Sequence, residues 1–218
     1  MKKSLLFDLL LLAVVGAWIG WLIVGVPPAQ DAAGGWAQKI FYIHVPSATI
    51  GFFGFMLVAV FSLGVLMGDA RYWDARVVPA VEVSFLFASF VLLTGPFWAK
   101  PVWGIWWRWE PRMTTFFMMW LMYAGWFLLR RTLPVGQQQR IYSAIYAMLA
   151  FLNVPVVMLS VYFWKPEEQL HPQQIQLTST MRATLYVSFA VVLVLFLRFL
   201  WFRTSLELLS RKIEEDFR

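Results

Sequence analysis

The chain has 218 residues, of which 61% are hydrophobic and only 14% are charged, whereas soluble domains average roughly 45–50% apolar and 25% charged residues. This composition indicates an integral membrane protein and leaves no length for a separate soluble domain, because each membrane helix needs about 20 residues. The absence of cysteine excludes disulfides and thiolate metal sites, and a net charge of +6 without any basic run longer than a pair argues against nucleic acid binding.

Apolar runs long enough to cross a membrane predict an all-α bundle of six transmembrane helices, forming one domain over residues 1–218. The first run begins after Lys2 and Lys3, and no A-x-A cleavage site follows it, so we expect a retained anchor and not a signal peptide. A charged tail follows the last run. The six predicted spans cover about 5–26, 46–68, 77–99, 113–130, 141–163 and 183–203.

The positions of lysine and arginine predict the orientation of these spans. With the N-terminus inside, 12 of the 18 basic residues lie on the cytoplasmic side and 6 on the outer side, as the positive-inside rule requires. Both termini are therefore predicted to be cytoplasmic. Three external loops are then expected near residues 27–45, 100–112 and 164–182.

The only two histidines are predicted to lie on the same outer face. His44 stands at the mouth of the second span, and His171 lies in the last external loop. A single histidine near a membrane interface is ordinarily a polar residue that hydrogen-bonds at headgroup level. Two neutral imidazoles on one face could instead ligate the iron of a flat macrocycle from opposite sides, whereas zinc normally requires three or four protein ligands.

A tryptophan-rich segment occupies the second external loop, residues 100–112. Four of the 13 tryptophans fall within seven residues there, a density that favours a shaped apolar surface over an ordinary interfacial belt. If the segment is helical, Trp103, Trp106, Trp107 and Glu110 share one face, and the next residue, a proline, would end that helix. The remaining tryptophan of the group is Trp109.

Three cations flank these tryptophans, namely Lys100, Arg108 and Arg112. They could pair with carboxylates on the rim of a macrocycle, and arginine in particular makes bidentate contacts to carboxylate. A flat, apolar dianion with an iron centre, such as haem, therefore fits the composition of the outer face better than a sugar or a nucleotide.

The tryptophan-rich segment resembles the signature of a known family. Residues 103–114 read W-G-I-W-W-R-W-E-P-R-M-T and are similar to the WWD signature W-G-x-W-W-x-W-D-x-R-L-T of the CcmC family, which handles haem in cytochrome c maturation. Glu110 stands where the signature has aspartate. Residues 42–46, Y-I-H-V-P, resemble the family's first ligand-histidine segment, and residues 153–157 with the later Leu170-His171 resemble the second.

This resemblance implies a non-enzymatic protein that holds b-type haem non-covalently at the outer face and delivers it to the haem chaperone CcmE. It also implies a complex with the CcmA and CcmB transporter subunits and the small membrane protein CcmD. The axial ligands would be His44 and His171, and the surrounding site would comprise Trp103, Trp106, Trp107, Trp109, Glu110, Arg112, Lys100 and Arg108.

Two other classes of protein are alternatives to this interpretation. One is a cofactor-free membrane scaffold or transporter subunit whose tryptophan-rich loop docks a periplasmic partner. The other is a membrane enzyme, such as a haem lyase or a quinone oxidoreductase, which the missing cysteine and the absence of a nucleophile–base pair disfavour.

Polar residues inside the predicted spans are assigned structural roles. Glu82, near the cytoplasmic end of the third span, is expected to snorkel or to hydrogen-bond within the bundle. Asn153 and Pro155 predict a packed kink with an interhelical hydrogen bond. Asp8 suits the positive end of the first helix dipole.

Overall fold

The computed structural model describes residues 2–28, 35–164 and 177–217. Throughout these ranges all regular secondary structure is helical, as predicted. A π-helical turn, Trp21–Gly25, continues α1, and a 3-10 helix, Gly35–Ile40, leads into α2. The α-helices are α1 (Lys2–Gly20), α2 (Phe41–Met67), α3 (Ala70–Trp103), α4 (Pro111–Thr132), α5 (Gln137–Phe151), α6 (Asn153–Phe163) and α7 (Ser179–Asp216).

Five helical segments in the described residues are long and apolar enough to cross a membrane, namely Ser4–Gly25, Gly35–Met67, Ala70–Trp103, Gln137–Phe163 and Ser179–Asp216. They correspond to five of the six predicted spans, and the helices extend beyond the predicted limits because their polar ends continue past the apolar run. The fourth predicted span forms α4, whose tryptophan, tyrosine and threonine residues lower its hydropathy. That α4 crosses the membrane, and that both termini are cytoplasmic, stay predictions.

Helix α4 nevertheless belongs to the core of the bundle. Its side chains Met119 and Tyr123 are fully buried, and Trp126 is almost so. Tyr123 stacks on Phe55 of α2 with ring centroids 4.0 Å apart, and the indole nitrogen of Trp126 donates to the carbonyl of Ser143 in α5 at 2.9 Å. These contacts hold the middle and second half of α4 against α2 and α5.

The predicted kink in the fifth span is confirmed. The span is divided at Leu152 into α5 and α6, and the side-chain amide of Asn153 donates to the Thr115 carbonyl of α4 at 2.9 Å. The interhelical hydrogen bond thus comes from the residue named for it, and it joins the kink to the second turn of α4.

Ion pairs join helices at the end of the bundle where α3 begins. The Asp74 carboxylate, only 1% exposed, accepts two hydrogen bonds of 2.8 Å from Arg130 of α4 and one of 2.7 Å from Arg211 of α7. Arg211 also pairs with Glu207 at 2.9 Å, one turn away in α7. One carboxylate therefore connects three helices.

The other acidic residues predicted to lie in or near the spans are also paired. Glu82 forms an ion pair with Arg203 of α7, which agrees with the predicted bond inside the bundle. Asp8 accepts hydrogen bonds of 2.6 and 2.7 Å from Arg198. The guanidinium of Arg198 therefore balances the Asp8 charge in addition to the predicted helix dipole. Both arginines belong to α7, which holds α1 and α3 through them.

Replacing Asp74 by alanine is expected to lower the free energy of unfolding in detergent by about 3 kcal/mol. Arg130 would keep a partly buried charge without its carboxylate, while Arg211 would keep Glu207. The matched control is Glu215→Ala, which removes an ion pair with Arg71 whose side chains are both about half exposed and should cost less than about 1 kcal/mol. Equal losses in the two variants, measured by thermal unfolding, would contradict this account of the network.

Candidate functional site

A cavity of about 210 Å³ lies between the first turns of α2, the last turns of α3 and the beginning of α4. Most of its lining is apolar, with Ala48, Phe52, Val91 and Phe116 among the contributors. The side chains that could carry chemistry at this cavity are His44, Trp98, Trp103, Trp107 and Arg112. The structure thus brings the first histidine, part of the tryptophan-rich segment and one of its cations to a single concave surface.

His44 lies in the first turn of helix α2, at the predicted mouth of the second span, although the external loop was expected to extend to about residue 45. The helix begins at Phe41 because the 3-10 helix before it continues directly into α2. The His44 ring is half-buried, its Nδ1 lies 2.9 Å from the Thr94 hydroxyl of α3, and its centroid lies 5.9 Å from the Trp98 ring. A rigid helix and two neighbours on α3 therefore fix the position of this imidazole.

Gly95 of α3 lines the cavity beside His44. A methyl group placed on Gly95 would be 3.5 Å from Cε1 of His44, which is ordinary van der Waals contact. A larger side chain would add atoms near Cε1, the carbon between the two ring nitrogens. Because glycine has no side chain, Gly95 itself does not fill this part of the cavity.

The tryptophan-rich segment is an irregular connection, so the condition for one shared helical face is not met. Helix α3 ends at Trp103 because Gly104 adopts the left-handed conformation, with φ +75°, that glycine accepts at little cost. Residues 105–110 are not helical. Pro111 is the first residue of α4 and does not end a helix as expected, since proline at that position needs no backbone donor.

The four tryptophans of the segment divide into two groups. Trp103 and Trp107 are partly buried and line the cavity, and Trp103 packs against Trp98 with centroids 5.8 Å apart. Trp106 and Trp109 are 53% and 68% exposed and are not among the cavity-lining residues. Two tryptophans therefore form the cavity wall, and two lie outside it on the same connection.

The three predicted cations also occupy different positions. Arg112 is half-buried at the cavity, while Arg108 is exposed and Lys100 donates from Nζ to the Gly104 carbonyl at 2.8 Å. Desolvation lowers the pKa of Arg112, which precedes the fourth predicted span, and the negative charge of Glu110 opposes that shift. Glu110 is itself only 3% exposed, so the carboxylate that replaces the signature aspartate interacts electrostatically with the cavity cation.

Comparison with known proteins identifies the family. The model of the CcmC family, described as Heme exporter protein C, matches residues 1–218. The chain belongs to this family.

Among similar proteins is Heme exporter protein C of Bradyrhizobium diazoefficiens, 30% identical over 140 residues, which are 64% of this chain and 53% of that protein. The protein of the same name from Paracoccus denitrificans is 26% identical over 200 residues, 88% and 82% of the two chains. That of Escherichia coli K12 is 29% identical over 160 residues, 72% and 64%. The matched part thus spans about half of the Bradyrhizobium protein and most of the Paracoccus one.

Two residues beside the cavity were not predicted as part of the CcmC site. Both lie within the predicted third span, residues 77–99. Thr94 and Trp98 are one turn apart, at i and i+4, and therefore lie on the same face of α3. His171 lies outside the described residues, so its place relative to the cavity stays a prediction.

Proposed function

We propose that this protein binds haem b non-covalently in the cavity between α2, α3 and α4 and delivers it to a periplasmic haem chaperone, CcmE, for the biogenesis of c-type cytochromes. Haem is the cargo, and no reaction is catalysed. The observation that carries the proposal is the placement of an imidazole, His44, on the wall of an apolar cavity lined by tryptophans, with one guanidinium, Arg112, beside it.

The residues at the cavity fit the chemistry of haem. An imidazole nitrogen is a common axial ligand of haem iron, and His44 is held by a helix and by the Thr94 hydroxyl. Trp98, Trp103 and Trp107 offer aromatic surface to a porphyrin, and Arg112 could pair with a propionate. Since the chain has no cysteine, haem held here carries no thioether link to this protein.

The second axial ligand in this proposal is His171. This assignment rests on the resemblance of residues 153–157 and Leu170-His171 to the family's second ligand-histidine segment. Lys100, Arg108, Trp106, Trp109 and Glu110 would surround the bound haem or the approaching chaperone.

The position of the cavity along α3 supports presentation of haem at one membrane face. Asp74 and Trp98 are 24 residues apart in that helix, roughly 36 Å at 1.5 Å per residue, which is comparable to the 30 Å hydrocarbon core of a bilayer. With the ion-pair network on the cytoplasmic side of the inner membrane, the cavity lies at the periplasmic side. We further propose, from membership of the CcmC family, that the protein associates with CcmA, CcmB and CcmD.

Protein purified from haem-sufficient cells is expected to show a Soret band and a low-spin bis-imidazole EPR signal. His44→Ala should reduce the retained haem at least about tenfold, since even partners of metal ligands contribute 10–100-fold to affinity, and added imidazole should restore part of the low-spin signal. His171→Ala is the parallel variant.

Unchanged low-spin spectra in both variants would overturn the ligand assignment. An intact partner complex without any Soret band would favour the cofactor-free docking protein.

Gly95→Leu is expected to lower haem affinity about tenfold, because overpacking at a close contact costs roughly 1–3 kcal/mol and the added side chain would crowd the His44 ring edge. Gly95→Ala is the matched control. Its methyl group makes only an ordinary contact with His44, and alanine is a better helix former than glycine. Haem affinity should therefore stay within about twofold of the wild-type value. Equal haem affinity in the leucine variant and the wild type, measured by titration in detergent, would show that haem does not approach this side of His44.

A further inference from the structure

The hydroxyl of Thr94 lies at the centre of three short contacts. Its Oγ1 is 2.9 Å from the Phe90 carbonyl oxygen one turn earlier in α3, 3.4 Å from the Val91 carbonyl oxygen and 2.9 Å from Nδ1 of His44 in α2. The carbonyl oxygens can only accept hydrogen bonds. The hydroxyl has one proton to donate and lone pairs with which to accept.

The single proton of the Thr94 hydroxyl determines the direction of each hydrogen bond. Threonine in a helix commonly donates to the carbonyl four residues earlier, and the 2.9 Å contact to Phe90 has that pattern. With its single proton directed to Phe90, the Thr94 oxygen can only accept from His44. The Nδ1 of His44 must then carry a hydrogen, and in a neutral imidazole the other nitrogen, Nε2, carries the lone pair.

We propose that Thr94 is a positioning residue that holds His44 in the Nδ1-protonated tautomer and so makes Nε2 the nitrogen that ligates haem iron. This inference rests on the proposed haem function for its purpose, although the tautomer itself is a property of the protein without haem. Neutral histidine in water mostly carries its proton on Nε2, where it blocks ligation by that atom. The Thr94 hydroxyl reverses this preference before any ligand arrives.

Two further contacts make the arrangement rigid. The Trp98 ring lies beside the His44 ring, with centroids 5.9 Å apart and an interplanar angle of 56°, and restricts rotation of the imidazole on that side. The bond from Thr94 to the Phe90 carbonyl fixes the threonine rotamer. A hydrogen bond donated by Nδ1 also raises the basicity of Nε2 as a ligand. The same hydrogen bond would thus select Nε2 as the ligating atom and strengthen its coordination of iron.

The tautomer can be measured directly, because the chain contains only two histidines. Selective 15N-histidine labelling of the His171→Gln variant leaves a single imidazole, that of His44. In haem-free protein with a neutral imidazole, Nδ1 is expected to show the 15N shift and proton coupling of a protonated nitrogen, and Nε2 those of an unprotonated one. The reverse pattern would overturn the inference.

Thr94→Val keeps the shape of the side chain and removes the acceptor, and Thr94→Ser keeps the hydroxyl as the matched control. In the valine variant the His44 signals should shift toward the Nε2-protonated form, while the serine variant should retain the wild-type pattern. Haem affinity should fall about tenfold in the valine variant, within the range found for partners of metal ligands, and stay within about twofold in the serine variant.

The outcomes separate this inference from the proposed function. If the valine variant keeps both the wild-type tautomer and the wild-type haem affinity, Thr94 does not position His44, whatever the protein binds. If the tautomer responds to Thr94 as expected but His44→Ala retains all of its haem, the tautomer inference stands and the proposed role of His44 falls. Unfolding temperatures of the valine and serine variants are compared to exclude a general loss of structure.

Discussion

The continuous helix α3 is the element on which the rest of the structure depends. Backbone groups cannot stay unpaired in hydrocarbon, so a chain of this composition must cross the membrane as helices. Among these, α3 carries the buried Asp74 carboxylate near one end and the Thr94, Gly95 and Trp98 face near the other. Its ion pairs hold α4 and α7 at the first end, and its Thr94 and Trp98 side chains contact His44 of α2 at the second.

The cavity shows how few polar contacts such a site needs. Three polar side chains at or beside it have a close interaction, since His44 meets Thr94, Lys100 meets the Gly104 carbonyl, and Arg112 interacts with Glu110. These interactions lower the cost of placing polar groups at the edge of an apolar environment. The buried indole N–H groups of Trp98 and Trp107 have no hydrogen-bond partner among the described residues, and the two rings leave aromatic surface available to an apolar ligand.

The sequence predicted the helical class and the regions of the six apolar segments because length and hydropathy alone decide both. It did not predict where the helices end, since those ends depend on local features such as the left-handed Gly104 and the first-turn position of Pro111. The sequence also did not predict the pairing of Asp74 with Arg130 and Arg211. These arginines lie 56 and 137 positions after Asp74 and meet it only through the packing of the helices.

For the site, residue type was more informative than periodicity. His44 and the tryptophan-rich segment were found from composition and from the family signature, and the structure brings His44 together with Trp103, Trp107 and Arg112. The shared helical face does not form because the connection from Gly104 to Glu110 is irregular. Trp98 and Thr94 were missed because they were read as residues of a membrane span, although the face of α3 that carries them is the one that meets His44.

A protein that passes its cargo on must recognise it without holding it permanently, and the composition of this site meets both conditions. With no cysteine in the chain, every contact to haem would be a coordination bond, an aromatic contact or an ion pair, and each of these can be exchanged for an equivalent contact in an acceptor. Recognition then depends on geometry fixed in advance. Under the proposed function, a histidine within a helix, with its proton directed to a threonine hydroxyl, would provide an iron ligand without a covalent bond that has to be broken for release.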